Sequence, residues 1–380
     1  MSNSFWKHFA AALALLLYPV IALAEWKLNL QTPNTALGER IYDLHTIITL
    51  ICVVIFVGVF GAMFWAVFKH RKSVGHKAAQ FHENTTVEII WTIIPAIILI
   101  AMAVPATKTL IEMRDASEPD ITIKATGYQW KWGYDYLKGE GEGISFYSAL
   151  STPRDQIDGG NSEARKKNPN YLLEVDNPLV VPVGKKVRVL TTAQDVLHAW
   201  YVPALAVKQD AIPGFIRDAW FKAERPGTYR GQCAELCGKD HGFMPIVVEV
   251  MEPERYAAWV GEQKKKIQVA SIADSPAKEW TKDDLIARGE KVYKENCVAC
   301  HQATGMGLPG AFPALSGSKV VIGPAGEQIS LVLKGKPGTA MASFARLSDV
   351  ELAAVITYTR NSWTNKVGDA VMPGDIKASR

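Results

Sequence analysis

At 380 residues with a formal net charge of +4, the chain is too long for one ordinary domain, and roughly two to three are expected. The charge is modest and no Lys/Arg block is interleaved with aromatic residues, which argues against nucleic acid as a partner. Apolar residues are concentrated in three long runs before Thr107, and the remainder has soluble composition.

The first run, Phe9 to Ala24, follows Lys7 and His8 and ends in Ala22-Leu23-Ala24 before Glu25. Small residues at that position match a secretory signal peptide; the alternative, a third membrane helix, is disfavoured by the short apolar core. The second run, Ile47 to Phe68, is uncharged and long enough to cross a hydrocarbon layer of ~30 Å. Cys52, inside it, is read as a packing residue. The third, Ile89 to Thr107, also spans despite Pro95 and Pro105, which membrane helices tolerate. Between the spans lies KHRKSVGHK, whose lysines and arginines mark a cytoplasmic loop. Everything after Thr107 is then expected on the opposite, periplasm-like side.

From Ile121 to about Val250 the pattern changes to short β-rich runs separated by Gly, Pro and Asn-Pro turns, as in an all-β sandwich or barrel. The polar, Gly-rich stretch 139–170 reads as a surface loop. Residues 251–266 read as a terminal helix of this domain, and 267–281 have linker composition. Helical periodicity returns in DDLIARGEKVYKENC and LSDVELAAVITYTRNSW, so a small helical domain closes the chain.

Cys297-Val-Ala-Cys300-His301 is the c-type haem attachment pattern, in which both thiols bond the haem and the histidine ligates iron. A thioredoxin-like disulfide needs a βαβ setting absent here, and zinc would need two further ligands. A methionine is expected as the second axial ligand, because His/Met ligation raises the potential. Met306 is too close to the attachment site and Met372 lies in the tail, which leaves Met341 in GTAMASF.

The other pair sits in CAELCGKDHGFM, Cys233 to Met244. In an exported protein a disulfide is one reading. Zinc is a second, but two Cys and one His leave it a ligand short. Copper uses more of the residues: a Cys-His-Met loop after a strand, with His198 from about 35 residues upstream, is how β-sandwich proteins hold copper for electron transfer. A single copper needs one Cys; two thiolates four residues apart suit two coppers, with His198, His241, Met244 and the Glu235 carbonyl as further donors.

These motifs, with ENTTVEIIWTIIPAIIL, GYQWKWGYDY, LLEVDNPLVVP, DVLHAWYVPAL and KQDAIPG, make the chain from about Leu44 onward resemble subunit II of haem-copper cytochrome c oxidases, with a cytochrome c domain fused at the C-terminus as in the caa3 type. The resemblance implies a multidomain fold: signal peptide 1–24, a two-helix transmembrane hairpin at 25–115, an all-β Greek-key cupredoxin domain at 116–266, a linker at 267–281 and an all-α class I cytochrome c domain at 282–380. It implies a dinuclear copper centre, CuA, on His198, Cys233, Cys237, His241, Met244 and the Glu235 backbone oxygen. It also implies magnesium on the Glu235 side chain at the boundary with subunit I, and one covalent haem c on Cys297, Cys300, His301 and Met341.

By the same resemblance Trp130 is where cytochrome c electrons enter, Asp195 stands beside the copper, and Glu88 matches the mouth of a proton-uptake channel. The plainer reading of Glu88 is an acid favoured by a helix N-terminus, and that of the Trp130 run is an aromatic strand. The implied partners are subunit I, other oxidase subunits, a soluble or membrane cytochrome c or bc1-type donor, and the lipid bilayer. The implied setting is a bacterial-type plasma membrane with both redox domains outside. Oxygen chemistry belongs to subunit I, because these spans contain no histidines of their own. An exported copper-delivery protein and a nitrous-oxide-type reductase are the competing readings. The chain departs from the family where acidic residues normally follow the entrance tryptophan: Lys131 and Lys138 stand there instead. A tethered donor needs less long-range attraction.

Overall fold

The structure is a computed structural model that describes residues 29–77, 80, 82–157, 162–273, 279–310, 312–336, 339, 341, 343–345 and 347–380. The expected signal peptide lies outside these residues. The chain divides into two compact units, Met1–Thr32 with Tyr42–Glu83, and Pro33–Ile41 with Asn84–Arg380.

Helix α1 (Ala36–Lys69) carries the second apolar run, with mean hydropathy 2.9 over its most apolar stretch. Within the first unit, Asn29 Nδ2 donates to Thr46 Oγ1 at 2.9 Å and pairs with His45 Nδ1 through its Oδ1. Helix α2 (Thr85–Met113) carries the third run, with hydropathy 2.5. Both helices outrun the apolar stretches by about three turns, with polar residues such as Glu39 and Glu112 in the extensions. Asn84 caps α2 by accepting from Val87 N at 3.2 Å.

Among the described residues ten strands follow: β1 (Ile121–Tyr128), β2 (Lys131–Lys138), β3 (Ser145–Ser148), β4 (Leu179–Pro182), β5 (Lys186–Ala193), β6 (His198–Val202), β7 (Val207–Ala211), β8 (Arg217–Lys222), β9 (Gly227–Cys233) and β10 (Pro245–Met251). They form two five-stranded sheets, ordered β3-β2-β1-β5-β8 and β4-β10-β9-β6-β7. Strand β5 shows the alternation a half-buried strand requires, every second residue inside, whereas β4 is buried throughout. Between the sheets lie Ile123, Trp132, Tyr134, Val189, Trp200, Phe221 and Val248, all nearly inaccessible. The stretch 139–170 is not wholly a surface loop: Ile144 is buried and β3 pairs with β2. The polar sequence around it concealed that short strand.

Within the second unit the sandwich is tied to the Pro33–Ile41 segment and to the end of α2. Buried Asn34 donates from its backbone N to Ala204 O (2.7 Å) and from Nδ2 to Arg225 O (2.9 Å), and accepts from Arg225 N (3.0 Å). The Trp220 indole donates to Glu112 O at the end of α2 (3.1 Å), and Arg40 pairs with the Glu112 carboxylate. The sandwich is thereby held through backbone as well as side chains.

Helix α3 (Pro253–Ala273) packs Tyr256 and Val260 on the sandwich and continues past the expected Lys266 into the stretch read as linker. Residues 274–278 lie outside those described. The last segment holds α4 (Lys282–Asn296), α5 (Val298–His301), α6 (Lys319–Ile322), α7 (Ala325–Lys334), α8 (Asp349–Asn361) and α9 (Pro373–Ser379). Helices α4 and α8 each begin with a capping box, Thr281/Asp284 and Ser348/Glu351. They cross where Gly289 meets Ala354: a Cβ on Gly289 would lie 2.0 Å from Ala354 O. Arg360, 2% exposed, is held by the Asp369 carboxylate and by the carbonyls of Val321 and Gly323.

Candidate metal centres

Sheet pairing decides what meets at one end of the sandwich. β6 pairs with β9 so that Trp200 faces Cys233, which brings His198, the first residue of β6, beside the last residue of β9. The loop from Cys233 then curls back to β10 through a single turn, His241–Phe243. His198, Cys233 and Cys237 are buried, with their donor atoms all within 4.8 Å of one another.

Cys233 Sγ lies 3.8 Å from His198 Nδ1, 3.9 Å from Cys237 Sγ and 3.4 Å from Glu235 O. Cys237 Sγ lies 3.5 Å from both His241 Nδ1 and Met244 Sδ. Both cysteines are free, and their sulfurs stand far wider apart than the ~2.05 Å of a disulfide. All six expected donors therefore converge: two thiols, two imidazoles, a thioether and a carbonyl. Zinc takes four ligands, and thioether with thiolate is the donor chemistry of copper, so the residues fit copper. The Glu235 side chain is exposed.

The surroundings orient these donors. Asp195 Oδ1 accepts from His198 Nε2 at 2.9 Å and from Val196 N at 2.7 Å, while its Oδ2 accepts from Gln129 N at 2.8 Å. With Nε2 so engaged, Nδ1 is the nitrogen that faces the sulfurs, the usual way a carboxylate sets a ligand tautomer. Burial opposes charge on His198, but Asp195 and Cys233 outweigh it and raise its pKa. The Cys237 thiol hydrogen bond, against the opposing effect of burial and with help from His198, holds Cys233 down to about 3; Cys237, beside that thiolate, is pushed up. The thiolate is the form that would bind a metal, and loading the pair would release thiol protons.

Cys237 O accepts from Gln129 Nε2 (2.8 Å) and from the Trp130 indole (3.2 Å), so Trp130 is hydrogen-bonded to the backbone of a candidate ligand. Sequence reasoning missed Gln129, and it missed Gly127. A Cβ on Gly127 would fall 2.6–2.9 Å from the His198 ring and Cβ, so only glycine lets the imidazole lie flat on β1. The signal was a glycine inside a strand, which marks close approach.

In the haem-attachment segment Cys297 ends α4 and Cys300 lies in α5. His301 Nδ1 donates to Pro313 O at 2.9 Å, which leaves Nε2 free for iron, and burial lowers its pKa so that the imidazole is neutral. Burial raises both thiols, Cys297 to about 12. An oriented neutral imidazole beside two free thiols fits a covalent haem. Met341 is half-buried between α7 and α8, where its O accepts from Lys336 N at 2.8 Å; Met306, by contrast, is exposed. Glu88 belongs to neither cluster: its Oε1 accepts from Asn84 N at 3.2 Å, a helix-start bond.

The segment bearing Cys297 and His301 lies against the copper-side loops. Phe312 meets the Trp130 ring edge-on, with centroids 6.4 Å apart, and Lys131 Nζ donates to Glu295 O at the end of α4.

Comparison with known proteins agrees. Family models described as the transmembrane and periplasmic domains of cytochrome c oxidase subunit II match residues 23–109 and 121–251. Residues 284–358 match the model described as cytochrome c oxidase, cbb3-type, subunit III. Cytochrome c oxidase subunit 2 of Cyanidium caldarium is 38% identical over 242 residues, covering 63% of this chain and 91% of that protein. That of Cereibacter sphaeroides is 39% identical, covering 62% and 79%. The crystal structure of the periplasmic domain of subunit II of a cytochrome oxidase from Bradyrhizobium japonicum is 45% identical, covering 40% of this chain and 98% of that one at a TM-score of 0.34. Fold and site define a membrane-anchored cupredoxin with an appended cytochrome c domain. The chain belongs to the cytochrome c oxidase subunit 2 family.

Proposed function

We propose that this chain is the electron-input subunit of a haem-copper terminal oxidase, taking electrons from an external c-type or bc1-type donor and passing them toward subunit I, where oxygen is reduced to water and protons are pumped. The observation that carries this reading is the convergence of His198, Cys233, Cys237, His241 and Met244 at one end of a β-sandwich whose Trp130 touches the haem-attachment segment. His198, Cys233, Cys237, His241, Met244 and the Glu235 carbonyl would hold two coppers; Cys297, Cys300, His301 and Met341 would hold one haem c. Bound there, copper and haem supply reversible one-electron transfer.

The chain's own part is to hold those donors still and dry. Asp195 fixes the His198 tautomer, the buried sandwich end excludes water, and Pro313 orients His301. Trp130, hydrogen-bonded to Cys237 O, is the contact through which electrons reach the copper loop. Leu197, Phe215, Ile216 and Leu236 are exposed on loops of the sandwich, two of them next to candidate ligands, and form an apolar rim suited to the partner subunit. The exposed Glu235 side chain is there to take magnesium with it.

The domain division is that given above, with 1–24 as a cleaved signal peptide. The Lys69–Lys77 loop faces the cytoplasm of a bacterial-type cell, and the copper and haem domains face outward. Glu88, at the inner start of α2, is the candidate for a proton-channel mouth. A copper-delivery role is not favoured, because delivery has no use for a haem-attachment motif seated beside the copper loop.

The decisive measurement is metal and haem content of the purified full chain, with its visible and near-infrared spectrum. About two coppers per chain and one covalent c-type haem are expected. One copper, or zinc with a Cys233–Cys237 disulfide, would overturn the copper-pair assignment.

A further inference from the structure

Lys131 is the residue the family pattern does not explain, and its surroundings say what it does. Its Nζ donates to Glu295 O at 3.3 Å and to Asn296 Oδ1 at 3.4 Å, both in the final turn of α4, immediately before Cys297. The last carbonyls of a helix lack intrahelical donors and carry the negative end of its dipole, so a lysine there satisfies both needs. The same ammonium lies 3.7 Å above the Tyr147 ring on the neighbouring strand β3, which holds it from the copper side. Lys131 is therefore clamped between the sandwich and the haem-attachment helix.

Its chain neighbour is Trp130, whose ring edge Phe312 covers from the haem segment, twelve residues after Cys300. Lys239 Nζ flanks the other side, 5.4 Å from the Trp130 ring centroid. Two lysines, Lys239 being paired with Asp240 at 3.1 Å, and a phenyl ring from the chain's own helical domain thus border the indole. A separate donor protein meets a surface already occupied by Phe312.

We propose that Lys131 seats the haem-bearing domain over Trp130 and so reserves that indole for the chain's own haem, closing it to separate donor proteins. This rests on the electron-input reading above. Lys131 acts as a positioning residue: it works through the placement of α4 and Phe312.

The test uses the assembled oxidase, wild type against Lys131→Glu and Lys131→Arg. Hydroxyl-radical footprinting with mass spectrometry reads the exposure of Trp130, and flash-induced kinetics reads haem-to-copper transfer, with both potentials measured. In K131E, Trp130 labelling should rise about fivefold, the factor carried by a charge at a helix end. Transfer should slow by a similar factor beyond what any measured shift in the haem potential accounts for. K131R should match wild type on both readouts. Unchanged Trp130 labelling in K131E overturns the seat whatever the kinetics, and so does a K131R variant as impaired as K131E. Raised labelling with unchanged transfer overturns instead the route through Trp130, and the reservation with it.

Discussion

Replacing Gly127 by alanine tests how the copper-side histidine is placed. The added Cβ would stand 2.6 Å from His198 Cδ2 and 2.7 Å from Cγ, nearly an ångström inside ordinary van der Waals contact at 3.4 Å. Strand β1 cannot retreat, because its ladders to β2 and β5 run through Gly127 on both sides. The imidazole must move, and either its 2.9 Å bond to Asp195 or its approach to Cys233 is lost. Overpacking of this kind costs about 1–3 kcal/mol, and displacing an oriented ligand typically weakens metal binding about 10–100-fold. Copper titration of the full chain, with thermal unfolding before and after loading, separates the two effects. A Gly127→Ala chain that binds copper as tightly as wild type would refute the argument that the glycine seats His198.

Asp195→Asn should weaken copper binding by about the same 10–100-fold, because an amide nitrogen would face N–H donors now bonded to carboxylate oxygen; titration at wild-type strength would count against the orienting role. Met341→Ala should lower the haem potential by a sizeable part of the ~0.8 V range that axial ligands span, while Met306→Leu leaves it unchanged; redox titration reads both, and the reverse ranking would move the assignment to Met306. The Arg360 hydrogen bonds, against the opposing effect of burial, hold Asp369 below the usual carboxylate range. A depressed folded pKa gives stability that is present above the unfolded value of about 4 and is lost as pH falls through the folded one. The Tm gap between wild type and Asp369→Asn should therefore be constant near neutrality and shrink below pH about 4. A gap that persists unchanged in strong acid would exclude this linkage.

Much of the site is legible along the chain because its donors are local. Cys233, Glu235, Cys237, His241 and Met244 fall in one loop, and Cys297, Cys300 and His301 in one turn, so spacing alone carries their chemistry. The two spans are legible for a similar reason: a helix that crosses lipid needs one long, unbroken apolar run. His198 was recognisable as a candidate, but only the β6–β9 pairing makes it a neighbour of Cys233. Strand β3 escaped notice because it is only four residues long inside a polar, Gly-rich stretch, and its pairing with β2 is what defines it. Glu88 read equally as a channel residue or a helix-start acid, and its bond to Asn84 N belongs to the helix start.

The sequence by itself determined the class of chemistry: soft donors at one loop, a haem-attachment turn, and a membrane hairpin, each encoded within a few consecutive residues. Tertiary structure alone decided what stands around them. Gln129 bridges Asp195 to Cys237, Gly127 lies under His198, and Lys131 reaches 164 residues along the chain to Glu295. Those relations arise from strand register and domain contact, which bring together residues whose chain separation carries no periodic signal.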